Sequence, residues 1–116
     1  MDQTEDPTSP LGGIDVTTVQ GRTVVRMWGE VDGALRAEAS ASMAQALASS
    51  APVVVDASGV TFIDSSGLAF VLQLHLAATE TGQRLTLRDP RREVVGRLEL
   101  IGMAGEIDLE PEVAVA

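Results

Sequence analysis

The stretch that decides the fold runs from Val53 to Leu74 and reads VVVDASGVTFIDSSGLAFVLQL. Its opening run of β-branched residues predicts a buried strand. Ser58 and Gly59 predict a turn, after which a second short apolar segment covers residues 60 to 63. From Asp64 onward the pattern changes to that of a long apolar helix, which we expect to end near residue 79.

The start of this helix concentrates the polar side chains that are most suited to a functional site in this chain. Asp and Ser are favoured there because their side-chain oxygens accept the free amide hydrogens of a helix's first turn. Asp64, Ser65 and Ser66 therefore lie where the helix begins. Two hydroxyls are placed at the positive end of the helix dipole, beside a carboxylate.

The composition limits the possible functions. A chain of 116 residues can form one domain with its own core. It has no cysteine, which excludes disulfides, thiol catalysis and thiolate zinc sites. A single histidine, His75, argues against a histidine-based metal or catalytic site, so we expect no metal and no cofactor.

The net charge of −9 makes nucleic acid and anionic membranes poor partners. The first ten residues are acidic and contain no apolar segment, so we expect no signal peptide. The longest apolar run, residues 67 to 76, is too short to span a bilayer. We therefore expect a soluble cytoplasmic protein.

The remaining chain alternates strand and helix patterns around this central stretch. We expect a disordered tail over residues 1 to 10, a domain over residues 11 to 110 and a second tail over residues 111 to 116. Before the central stretch we predict strands at 14–19 and 22–28, a loop at 29–33 and a helix at 34–48. After it we predict a strand at 84–88, a helix that begins at Asp89-Pro90 and ends at Gly102, and a strand at 106–109. The buried residues expected in this last helix are Val94, Val95, Leu98 and Ile101. Strand–helix–strand units need parallel neighbours, and the opening hairpin adds an antiparallel pair. The fold class is therefore α/β, with a mixed sheet of four to five strands and helices packed against it.

Four segments of the chain resemble the STAS domain family, and in particular the stand-alone anti-sigma factor antagonists of bacteria. They are Gly29-Glu30-Val31-Asp32, the run from Val54 through Asp64-Ser65-Ser66-Gly67-Leu68, Leu85-Thr86-Leu87, and Leu98-Glu99-Leu100-Ile101-Gly102-Met103. The resemblance covers roughly residues 11 to 110 and implies a single STAS-like domain. The sequence differs from the family pattern at Ala69, where many members have glycine, and at Gly33 after the acidic residue.

The resemblance implies a binding protein and not an enzyme. Such proteins bind an anti-sigma factor and thereby release a sigma factor for transcription. The anti-sigma factor is usually a serine kinase that phosphorylates the first serine of the motif, which is Ser65 here. Phosphorylation ends binding, and a phosphatase resets Ser65. Asp32 matches an acidic residue near the phosphorylation site. The partner-binding residues expected from the motif and from the helix pattern are Asp32, Asp64, Ser65, Ser66, Gly67, Leu68 and Leu72.

Other interpretations of these residues remain open at this stage. Ser65 as an ordinary N-cap residue, with no modification, is one of them. The whole chain as a STAS accessory subunit of a lipid-transport complex or of a signalling scaffold is another. An enzyme is the least favoured, because one histidine and scattered carboxylates do not form a base–nucleophile pair.

The helix after Ser65 shows two apolar stripes, where a surface helix normally shows one. One stripe contains Phe70, Leu74 and Ala78. The other contains Leu68, Val71, Leu72 and His75. We expect one stripe to pack on the sheet and the other to form a docking surface, with Leu72 and His75 on the outer face. The alternative is that the first helix covers the second stripe.

Overall fold

The computed structural model describes residues 11 to 111, so the tail predicted over residues 1 to 10 and residues 112 to 116 of the second tail lie outside the described residues. The regular elements are β1 (Gly12–Val19), β2 (Arg22–Val31), a short 3-10 helix (Gly33–Leu35), α1 (Arg36–Ala48), β3 (Val53–Ile63), α2 (Ser65–Glu80), β4 (Leu85–Arg88), α3 (Glu93–Leu100) and β5 (Asp108–Leu109).

The five strands form one mixed sheet in the order β1-β2-β3-β4-β5. β1 is antiparallel to β2, and the following three pairs are parallel. This arrangement confirms the predicted α/β class. Because the parallel crossovers all step in the same direction and are right-handed, α1, α2 and α3 lie on the same face of the sheet. The core fills the space between the helices and this face, where Val25, Val55 and Leu87 are buried side by side.

Strands β2 and β3 are longer than the sequence predicts. Gly29, Glu30 and Val31 were expected in a loop but lie in β2. Ser58 and Gly59 were expected to form a turn but lie inside β3, which continues without a break to Ile63. Two register shifts against β2 accommodate extra residues in β3. Such irregularities bend a strand without ending it, because pairing resumes on either side.

The third helix begins later than predicted, at Glu93 and not at Asp89-Pro90. Asp89 still stabilises the helix start, since its Oδ2 accepts hydrogen bonds from the amides of Val94 at 3.0 Å and Val95 at 2.7 Å. Val94, Val95 and Leu98 are buried as expected. Ile101 is 53% exposed, so its predicted place in the core is wrong.

Both predicted apolar stripes of helix α2 are largely covered by the rest of the domain. Phe70, Leu74 and Ala78 are buried, and so are Leu68 and Val71 of the second stripe. The sheet, α1 and α3 all contact α2 and together cover both stripes. The expectation of a second, uncovered stripe is therefore wrong. Only its last members are partly exposed, and of these Leu72 packs against the core.

Candidate functional site

Helix α2 begins at Ser65, and Asp64 is its N-cap residue. The Asp64 Oδ1 atom accepts a hydrogen bond from the Gly67 amide at 3.0 Å. The hydroxyls of Ser65 and Ser66 are not used for capping, and both residues are exposed. The interpretation of Ser65 as an N-cap residue is therefore wrong. The structure presents two exposed hydroxyls in the first turn of a helix whose amides point toward them.

The segment that follows β2 lies directly beside this helix start. Asp32 caps the short 3-10 helix, with its Oδ1 accepting from the Ala34 amide at 2.9 Å. The preceding residue, Val31, accepts a backbone hydrogen bond from the Asp64 amide at 3.2 Å. This bond joins the two predicted parts of the site, because it connects the neighbour of Asp32 to the neighbour of Ser65.

Gly67 allows this close packing. A Cβ atom at this position would lie 2.6 Å from the Val31 carbonyl oxygen and 2.7 Å from Cγ1 of Ile63. Both distances are shorter than a Cβ atom normally keeps from its neighbours, and the Val31 backbone cannot easily move aside in a packed interior. The glycine of the motif is thus required for the start of α2 to rest on the ends of β2 and β3.

A cavity of about 350 Å³ opens between α1 and α2 next to Ser66. Its polar side is formed by Asp32, Arg36 and Ser66. Its apolar side is formed by residues that include Ile14, Met43 and Phe70. The site therefore combines a polar rim with an apolar wall, an arrangement common where another molecule binds.

The predicted partner-binding residues are not equally accessible. Asp32, Ser66 and Gly67 line the cavity, while Ser65, which precedes Ser66 in the chain, is exposed and is not among the lining residues. Leu68 is only 8% exposed and belongs to the core. Leu68 is thus unavailable to a partner in this structure, and Leu72 offers only part of its side chain.

Arg36 is part of this site and was missed in the sequence analysis. It is the first residue of α1, is exposed, and lines the same cavity as Ser66. The signal that could have indicated it is a basic residue four positions after Asp32, in a strongly acidic chain. No local pattern, however, predicts that α1 begins next to the first turn of α2.

Two further features of residues 11 to 111 concern possible ligands and location. In this range no group of three or more His, Cys, Asp or Glu side chains is placed to hold a metal ion. No helix in the same range has the length and apolar character needed to cross a membrane. The chemistry that the site does offer is that of exposed primary hydroxyls, which can receive a group transferred from another molecule.

Comparisons with known proteins agree with this architecture. Residues 14 to 111 match a family model described as "Mlab, STAS domain". An anti-sigma factor antagonist from Mycobacterium paratuberculosis is similar in structure, with a TM-score of 0.73 and 25% identity over 92% of this chain and 90% of that one. The unphosphorylated anti-sigma factor antagonist SpoIIAA gives a TM-score of 0.67 at 19% identity, over 87% of this chain and 90% of its own. SpoIIAA of Bacillus in its phosphorylated form gives 0.66 at 19% identity, over 86% of this chain and 93% of its own. No curated protein sequence matches the chain.

Proposed function

Because this chain belongs to the STAS domain family, we propose that it is an anti-sigma factor antagonist switched off by phosphorylation at Ser65. In its unmodified form it binds an anti-sigma factor, which then releases a sigma factor. The anti-sigma factor is a serine kinase that phosphorylates Ser65, and a phosphatase resets the site. The protein acts by binding, in the cytoplasm, and is not an enzyme.

The observation that carries this proposal is the exposed Ser65 hydroxyl in the first turn of α2. Since Asp64 supplies the cap, the hydroxyl is accessible to a kinase and its modification leaves the helix start intact. An antagonist shares 25% identity with this chain over nearly its whole length. SpoIIAA, which has the same fold, is described in both phosphorylated and unphosphorylated forms.

The charge of a phosphoryl group is sufficient to operate the switch. Phosphorylation adds roughly −1.5 to −2 charges and three acceptor oxygens. The first-turn amides and the helix dipole stabilise that charge in the free protein. A partner surface that fits a neutral hydroxyl would meet repulsion and a desolvation cost. A penalty of about 3 kcal/mol weakens binding roughly a hundredfold or more.

The test uses the purified chain, its cognate anti-sigma kinase and ATP, with phosphate mapped by mass spectrometry. We expect Ser65→Ala to abolish labelling and to keep partner binding, because only the acceptor oxygen is lost. Ser66→Ala is the matched control, since Ser66 is equally exposed one residue later, and it should be labelled like the wild type. Labelling of Ser65→Ala at the wild-type level would refute the assignment.

Binding is then measured with phosphomimetic variants. Ser65→Asp and Ser65→Glu should bind the anti-sigma factor more weakly than Ser65→Ala, though less weakly than the phosphorylated protein, because each carries less charge than phosphate. Equal affinity of Ser65→Ala and the phosphorylated protein would show that phosphate is not the switch.

A second candidate function is an accessory subunit of a lipid-transport complex or of a signalling scaffold. The observation that favours it is the description of the matching family model, which names Mlab and not an antagonist. Purification of the tagged chain from its native cells separates the two functions. Co-purification of an ATP-dependent serine kinase supports the antagonist, whereas transporter subunits support the second candidate.

A further inference from the structure

Among residues 11 to 111, Arg36 is the only basic residue that lines the cavity between α1 and α2. Four other arginines, Arg22, Arg26, Arg88 and Arg92, form ion pairs elsewhere on the domain. Arg36 forms none with the acidic side chains of residues 11 to 111. Its guanidinium is therefore available, among these residues, for an anion that arrives at the site.

The two nearest carboxylates of the site already have other roles. Asp32 Oδ1 accepts from the Ala34 amide, and Asp64 Oδ1 accepts from the Gly67 amide. Acidic side chains near a phosphoryl group would raise its energy by repulsion between like charges. A cation in the site offsets that repulsion. Arginine suits the role, because its planar fork of N–H donors matches the oxygens of a phosphate.

The 3-10 helix and the start of α1 bring Arg36 to the cavity that Ser66 also lines. The 3-10 helix that leads into α1 lies against the start of α2, where a Cβ on Gly33 would be 3.7 Å from the Ser66 Oγ. Arg36 follows three residues later and shares the cavity lining with Ser66. Ser65 adjoins Ser66, and a phosphoryl group extends the reach of its side chain by a further bond.

We propose that Arg36 binds the phosphoryl group of phosphorylated Ser65 and holds it over the cavity between α1 and α2. The inference rests on the proposed function and adds an internal component to the switch. Phosphorylation then makes two features of this site unavailable to the partner. The hydroxyl becomes charged, and the cavity with its apolar wall is covered by an Arg36–phosphate pair.

The test installs phosphoserine at position 65 during translation, so that no kinase is needed. The second ionisation of the phosphate is followed by ³¹P NMR as a function of pH. We expect the phosphate of the wild type to bind its last proton about three- to tenfold more weakly than that of Arg36→Gln, because a paired guanidinium favours the dianion. Arg36→Lys, which keeps the charge but not the fork, should lie between them.

The matched control is Arg91→Gln, which removes an exposed arginine from the turn before α3. Its phosphate should titrate like that of the wild type. If Arg36→Gln also titrates like the wild type, the proposal is wrong. It is equally wrong if Arg91→Gln shifts the titration as much as Arg36→Gln does, since net charge alone would then be responsible.

The methyl group of Met43 reports separately on the cavity. Met43 lines its apolar wall, whereas Met103 does not. Phosphorylation should shift the ¹³C–¹H methyl resonance of Met43 in the wild type and leave it unshifted in Arg36→Gln, with Met103 unchanged in both. An equal Met43 shift in the two proteins would contradict the covering of the cavity. Failure of the kinase to label Ser65 would refute the proposed function but would leave these measurements intact.

Discussion

At the scale of single residues, the site depends on one residue without a side chain, Gly67, and on one side chain that already accepts a hydrogen bond, Asp64. Asp64 is engaged as the cap of α2, which leaves Ser65 exposed. Gly67 is small enough for the helix start to contact the Val31 carbonyl. Asp64 and Gly67 therefore have structural roles that are separate from phosphorylation of Ser65, and the two can be tested separately.

Replacement of Gly67 tests this close contact. We expect Gly67→Ala to destabilise the domain by about 1–3 kcal/mol, because the new methyl group has no space and α2 must move away from β2. The measurement is urea unfolding followed by circular dichroism. The matched control is Gly96→Ala in α3, where an added Cβ meets no atom within 4 Å. That variant should be more stable by about 0.5–1 kcal/mol, because alanine is the better helix former. A Gly67→Ala protein as stable as the wild type would show that the contact is loose.

At the scale of elements, α2 has one buried face in the core and one face that is exposed or half-buried. The sequence predicted a docking stripe that included Leu72, but this side chain packs against the core. Leu76, one turn later, is 62% exposed. A comparison of Leu72 with Leu76 therefore distinguishes a core contact from an exposed position on the same helix.

The pair Leu72→Asp and Leu76→Asp tests that distinction by thermal unfolding. We expect Leu72→Asp to lose about 2 kcal/mol, since a charge replaces a side chain in contact with the core. Leu76→Asp should change stability by less than about 0.5 kcal/mol, as surface substitutions usually do. If Leu72→Asp unfolds like the wild type and binds the anti-sigma factor less well, Leu72 belongs to the interface after all.

At the scale of the whole molecule, a row of charges crosses the sheet on the face away from the helices. Asp15, Arg26, Asp56 and Arg88 are cross-strand partners in successive strands. Arg88 is the centre of a smaller network, because it donates to Glu110 at 2.6 and 3.1 Å and to Asp56 at 3.3 Å. Since neighbouring strands supply each charge, the network ties β3 and β4 to the segment after β5.

This network changes the pKa of each of its carboxyl groups. Burial disfavours the charge of Asp56, but hydrogen bonds from Ser58 and the charge of Arg88 outweigh it, so the pKa of Asp56 lies below its ordinary value. The hydrogen bond from Arg88 likewise lowers the pKa of Glu110, against the effect of burial. A carboxyl group with a lowered pKa in the folded state stabilises the fold above its unfolded pKa, near 4, and this stabilisation is lost as the pH falls through the folded pKa.

We therefore expect Arg88→Gln to lower the stability at pH 7 by about 1 kcal/mol, or roughly 4–8 °C in Tm. The difference from the wild type should begin to shrink as the pH falls below the unfolded pKa, near 4. It should be lost only below the lowered pKa values of Asp56 and Glu110 in the folded wild type, where these carboxyl groups are protonated in both proteins. Thermal unfolding between pH 7 and pH 3 measures both effects. The matched control is Arg26→Gln, whose pair with Asp15 is more exposed. It should cost less than about 0.5 kcal/mol. A difference for Arg88→Gln that stays constant down to pH 3 would argue against the network.

The sequence alone determined the features that depend on local rules. The alternation of strands and helices, the mixed sheet and the start of α2 at Asp64-Ser65 all follow from residue spacing and from N-cap preference, which act within a few residues. The end of α2 is also local, since Gly82 has a positive φ and the Gln83 amide donates to the Ala78 carbonyl.

Only the tertiary structure decided the features that depend on distant pairing. β3 continues through Ser58 and Gly59 because β2 remains beside it, although these two residues by themselves predict a turn. Leu68 and Val71 of the second α2 stripe are buried because the sheet, α1 and α3 pack around this helix, which no sequence pattern within α2 can predict. Arg36 lines the same cavity as Ser66 because the ends of β2 and β3 lie side by side, where the Asp64 amide donates to the Val31 carbonyl across more than thirty residues. The physical reason is the same in each case: burial and strand pairing stabilise contacts between segments far apart in the chain, and these contacts override weak local preferences.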